Sequence, residues 1–166
     1  MKYRQALAGV ALAMLLWATA AVALEKPKGD VILTVKGQIS ETNPASGAAF
    51  DMQMLSALPQ TRFETTTRWT EKATFEGVLL KDLLAAVGAK GNEIVATALN
   101  DFSTTIPIED ISEVPVLIAA RVNGQLMKIR DRGPLWVVYD VDNRPDLQNI
   151  QTERKMVWQL KDLIIR

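Results

Sequence analysis

Residues 62–87 read RFETTTRWTEKATFEGVLLKDLLAAV, and two periodicities meet inside this stretch. Arg62 to Arg68 is rich in threonine, a β-branched residue that fits a pleated surface, so it reads as a strand. Phe75-Glu76-Gly77-Val78 leads into Leu79 to Val87, where Leu80, Leu83, Leu84 and Val87 form one helical stripe. Gly88 follows as a C-cap, the position where a left-handed residue closes a helix. A short strand followed at once by a short amphipathic helix sets the scale of the elements to expect on either side.

Upstream, Val31 to Ile39 alternates and is β-branched, so it is a strand. Ser40 to Gly47 is a loop carrying Asn43, Pro44 and Gly47. Phe50, Met52, Leu55 and Leu58 suit a short helix stopped by Pro59. Downstream, Glu93 to Leu99 and Phe102 to Ile108 are strands around an Asn100-Asp101 turn, and Glu109-Asp110 starts a helical turn. Pro115 to Val122 and Gln125 to Ile129 flank Asn123-Gly124, a strong hairpin signal. Leu135 to Tyr139 is a buried strand and Asp140 to Ile150 a polar loop; Met156 to Leu160 and Leu163 to Ile165 close the chain as strand. The pattern is α+β, with roughly six to eight short strands in mixed sheets and two or three short helices.

The first 23 residues read as an export signal. Lys2 and Arg4 precede an apolar run from Leu7 to Trp17, and Ala21-Val22-Ala23 matches a small-x-small cleavage site. The alternative is a membrane anchor, since Ala6 to Leu24 is nearly long enough to span. Cleavage after Ala23 gives a periplasmic protein with a single domain, 24–166, and no stable anchor. Removing Lys2 and Arg4 from 19 basic and 19 acidic residues leaves a slight acidic excess, which does not favour nucleic acid or anionic membrane.

The chain has no cysteine and no histidine. Disulfides, cysteine or histidine nucleophilic relays and the usual zinc ligand sets are therefore excluded. Carboxylates, amides, hydroxyls, Lys/Arg and aromatics remain.

Several stretches, in order, resemble the molybdopterin-dependent oxidoreductase domain, the sulfite oxidase-like fold. Thr65-Thr66-Thr67-Arg68-Trp69 followed by Phe75-Glu76-Gly77-Val78-Leu79-Leu80-Lys81-Asp82-Leu83-Leu84 is similar to the family's cysteine-bearing strand and its next segment. Asn100-Asp101-Phe102, the Val116 to Met127 hairpin, Arg130-Asp131-Arg132-Gly133-Pro134-Leu135-Trp136 and Trp158-Gln159-Leu160 resemble later family segments and the short exported members in particular. The resemblance implies that fold and a pocket beside Thr65. It also implies a molybdopterin cofactor held through a cysteine thiolate on molybdenum.

Three departures argue against carrying the cofactor over. Thr65 stands where the resemblance places the cysteine, and an alcohol is a poor substitute for a soft anionic ligand. No histidine is present. Lys2-Tyr3-Arg4-Gln5 holds no arginine pair, whereas the family loads its cofactor before export by the twin-arginine route.

The expected function is a non-catalytic exported binding module without cofactor or metal. It would take a small, anionic or aromatic ligand, or a membrane-bound partner facing the periplasm. Candidate pocket residues are Thr65, Arg68, Trp69, Asn100, Asp101, Arg130 and Arg132. Hydroxyls, arginines and an indole supply charge-assisted hydrogen bonds and stacking. Each also has a plainer reading: outward threonines, a core tryptophan, a self-capping turn and a local ion pair. Trp136, Trp158 and Tyr139 are expected in the core. The alternatives are a molybdopterin oxidoreductase with a non-cysteine metal environment and an interaction protein whose pocket is filled.

Overall fold

The computed structural model of the protein describes residues 24–44 and 46–166; the expected signal peptide, 1–23, lies outside the described residues. The chain begins with β1 (Leu33–Gly37), β2 (Ala48–Phe50), α1 (Met52–Ala57), β3 (Gln60–Thr67), β4 (Thr70–Leu79) and α2 (Leu80–Ala86). It continues through β5 (Glu93–Ala98), β6 (Ser103–Pro107), α3 (Ile108–Glu113), β7 (Val116–Val122) and β8 (Gln125–Leu126). It ends with β9 (Trp136–Tyr139), α4 (Ile150–Lys155) and β10 (Leu160–Ile165). Among the described residues no helix is long and apolar enough to cross a membrane.

Two sheets form. One runs β2-β1-β10-β5-β6; the other runs β3-β4-β7-β8, with β9 also on β7. The pairing of β1 with β10 is parallel and the other pairings are antiparallel, so the first sheet is mixed. Alternation along the strands explains where the core sits. On β7 and β9, Val116, Ile118, Val137 and Tyr139 face the main core, which they share with Leu33, Leu83 and Leu163. Leu117, Ala119, Trp136 and Val138 face a second cluster around Phe75. These two strands are buried on both faces, which is why they read as unbroken apolar runs rather than alternating ones.

Local chemistry sets the element ends. The Asp51 carboxylate accepts from the Met54 backbone N–H at 2.8 Å and so caps α1. Leu58, which precedes Pro59, is extended and ends that helix. Gly88 takes φ +59 after α2, as a C-cap requires, and Asn123 and Gly124 both take positive φ in the β7–β8 turn.

The structure departs from the sequence reading in several places. The return strand expected over Gln125 to Ile129 stops at Leu126, and Ile129 starts a 3-10 turn. Phe50 belongs to β2, opposite Leu33, and not to the helix that follows. Phe75 to Val78 is the interior of β4, not a lead-in; the polar start Thr70-Glu71-Lys72 masks its alternation, while Ala73 and Phe75 are buried. Helix α4 occupies residues left without an element. Met156 to Gln159 is irregular, carrying one isolated bridge between Trp136 and Trp158 and a positive φ at Gln159. The described residues hold ten strands and four short α-helices, more of both than expected.

Candidate functional site

A cavity of about 290 Å³ opens where the ends of the two sheets meet. Arg68 and Trp69 form the tight turn joining β3 to β4, and Asn100 and Phe102 come from the turn joining β5 to β6. Helix α4 supplies Ile150, Glu153 and Arg154, and the irregular segment after it supplies Met156, Val157 and Trp158.

Each wall is held by local bonds. The Thr67 hydroxyl accepts from the Trp69 N–H at 3.1 Å and pairs with the Thr70 hydroxyl at 2.9 Å, which fixes the turn. Asn100 Oδ1 accepts from the Phe102 N–H at 3.1 Å, an Asx turn. Asn149 caps α4 by accepting from Gln151 and Thr152 N–H. At the other end of α4, Lys155 Nζ donates to Asp110 at 2.6 Å, and the same carboxylate oxygen accepts the Tyr139 hydroxyl at 3.0 Å. Burial first, and then the Asp110 charge, push the Tyr139 hydroxyl far above its ordinary range, so it stays a neutral donor.

The floor is aromatic. The Trp69 and Trp158 rings meet edge-on with centroids 4.7 Å apart, and Trp136 lies 6.1 Å from Trp69 and 6.5 Å from Trp158. Trp136 is fully buried, donates Nε1–H to the Met156 carbonyl at 3.2 Å and meets Phe75 edge-on. The rim carries charge. Arg68 pairs with Glu153 at 3.2 Å, and Arg154 is exposed with no acidic partner among the described residues.

The candidate residues separate cleanly. Arg68, Trp69 and Asn100 line the cavity together. Arg132 does not line it, but its guanidinium lies 5.5 Å from the Trp158 ring centroid and 5.6 Å from that of Trp136. Asp101 points to Lys161 at 2.6 Å, and that hydrogen bond and charge hold its carboxyl below the usual range. Arg130 pairs with its neighbour Asp131 on the surface. Thr65 is fully buried; its hydroxyl accepts from the Asp142 N–H and donates to the Thr66 carbonyl, both at 3.3 Å.

Phe102, Ile150, Glu153, Arg154, Met156, Val157 and Trp158 were not among the candidates. For α4 a signal was present: Asn149 as a cap, with Arg154-Lys155 in the last turn where cations favour the dipole. Trp158, expected in the core, is half-buried and faces the cavity, whereas Trp136 and Tyr139 are core residues.

The model of the oxidoreductase molybdopterin binding domain matches residues 32–140. No curated protein matches the chain. Among solved structures, the sulfane dehydrogenase SoxCD from Paracoccus pantotrophus is similar, with a TM-score of 0.63 and 19% identity over 86% of this chain. The match covers 40% of the SoxCD chain, so this protein corresponds to less than half of that relative's length.

The residues present do not fit a molybdenum–thiolate centre. No thiolate or imidazole exists in the sequence. Thr65 has its hydroxyl engaged with backbone, and the Asp142 carboxylate sits on Thr66 through bonds of 2.6 and 3.1 Å, adding negative charge there. Among the described residues no group of three or more acidic, histidine or cysteine side chains is placed to hold a metal ion. With its sulfite oxidase-like sheets and a family match over 32–140, the chain belongs to the oxidoreductase molybdopterin-binding domain family.

Proposed function

We propose that this family member is an exported, non-catalytic binding module that works without molybdopterin or metal. The observation that carries the reading is the cavity between the sheet ends, with an indole and thioether floor and arginines on its rim. A concave, largely apolar site with a few oriented polar groups is the ordinary form of a binding site. Trp69 and Trp158 offer ring faces and edges, Met156 adapts to irregular shapes, and Arg68 and Arg154 supply charge-assisted donors. The group that fits has a flat apolar part and an anionic end. Glu153 is already paired with Arg68, and Arg154 has no acidic partner among the described residues.

Export rests on the sequence of residues 1–23, and the absence of catalysis rests on the missing thiolate. Neither needs the cavity to be a relic of a cofactor site.

Thermal shift with indole-3-acetate tests the reading, since this probe combines both chemistries. Ligand that binds only the native state raises the melting temperature with concentration. The expected result is a saturable rise that is lost in Trp158→Ala and reduced in Arg154→Glu. No shift with indole-3-acetate or a panel of aromatic carboxylates, at millimolar concentration, contradicts it.

A further inference from the structure

Among the described residues, most of the exposed large apolar side chains lie on or near the cavity wall. Phe102 and Ile150 line the cavity and are 50% and 46% exposed. Leu99, 44% exposed, precedes Asn100 and donates its N–H to the Gln159 carbonyl beside Trp158. Ile129, 59% exposed, accepts from the Gln159 side chain at 2.8 Å. Among the described residues, two of the six exposed large hydrophobics therefore line the cavity and two more are bonded to Gln159, next to Trp158, a concentration that scattered surface residues would not show.

The mouth has the composition of an interface centre. Tryptophan, phenylalanine, methionine and arginine are enriched there, and lysine and glutamate are depleted. Trp69, Trp158, Phe102, Met156, Arg68 and Arg154 line this cavity, with Glu153 the single acid. Arg132 adds a third cation on the face of Trp158 and, like Arg154, has no acidic partner among the described residues. At about 290 Å³ the cavity lies at the lower edge of the roughly 300–1,000 Å³ of small-molecule sites. A molecule filling it leaves Leu99 and Ile129 in water, because neither lines it.

We infer that the occupant is an acidic polypeptide segment of a partner protein, anchored by one aromatic or long aliphatic side chain in the cavity. The anchor packs against Trp69, Trp158 and Met156. Flanking carboxylates meet Arg154 and Arg132, and the segment's apolar neighbours cover Phe102, Ile150, Leu99 and Ile129. Hot spots of this kind are central, aromatic and arginine-rich, surrounded by a collar that excludes water. The inference rests on the binding-module reading above and names its ligand class.

Selection of a displayed random dodecapeptide library on the immobilised exported chain tests it, alongside indole-3-acetate as the small probe. The expected outcome is a consensus with one large apolar residue flanked by Asp or Glu. Synthetic peptides of that consensus should lose about tenfold or more in affinity with Arg154→Glu and with Phe102→Asp. Both substitutions are at exposed positions that leave the core intact. A basic consensus, or peptides whose binding ignores both variants, overturns the inference. Indole-3-acetate binding with no peptide consensus overturns it too, while leaving the binding-module reading standing. Loss of both signals removes that reading as well.

Discussion

Thr65 decides how the inherited site is read. Its side chain is buried and its hydroxyl is satisfied by backbone, so the position serves structure. The neighbouring Asp142 carboxylate takes the Thr66 N–H and hydroxyl, tying the loop after β9 to β3. Asp142→Ala strips two hydrogen bonds from part-buried donors and should cost about 2 kcal/mol in urea unfolding, where an unmade bond costs roughly 1–3 kcal/mol. A change below about 0.5 kcal/mol would show that the tie is idle. Asp51 makes a pH-dependent prediction. Its carboxylate accepts backbone N–H bonds from Met54, Gly29 and Lys28, and these hold its pKa below the usual carboxylate range. A depressed folded-state pKa adds stability above the unfolded value of about 3.9, and that stability is lost as pH falls through the folded value. Asp51→Ala should lower the melting temperature at pH 7, and the gap from the native chain should close as pH falls below about 3.9. A gap constant down to pH 2 would contradict the cause assigned here.

At the scale of elements, close approach explains a glycine that propensity would not place in a strand. Gly77 lies in β4 where a Cβ would overlap the Ile118 carbonyl oxygen of β7. Gly77→Ala should separate two central strands and cost at least about 2 kcal/mol, the scale of overpacking; unchanged denaturation would show that β4 can shift. Legibility followed periodicity. The α2 stripe, β1, β5 and the Asn123-Gly124 turn were readable because pattern and burial agree. The β4 strand was hidden because its first residues, Thr70 to Lys72, are polar and solvated, and α4 because a polar six-residue helix has no apolar period. That helix persists through a local Asn149 cap and the Lys155–Asp110–Tyr139 network, whose partners are distant in sequence. Missing α4 meant missing one wall of the site. Arg68, Trp69 and Asn100 were found because the family resemblance marked their segments as bordering a pocket, while Glu153 and Arg154 lay in no such segment.

For the whole molecule, the family's architecture is kept and its metal chemistry has no ligand set. Two sheets pack around a core without disulfides, since the sequence holds no cysteine. The chain spans 40% of the SoxCD chain it matches, and the likeness is one of fold. If this scaffold works without molybdenum, elemental analysis of the protein purified from its native host will find the metal at background, far below one atom per chain, in protein that still binds through the Trp69–Trp158 cavity. Molybdenum at about one atom per chain would overturn the proposal.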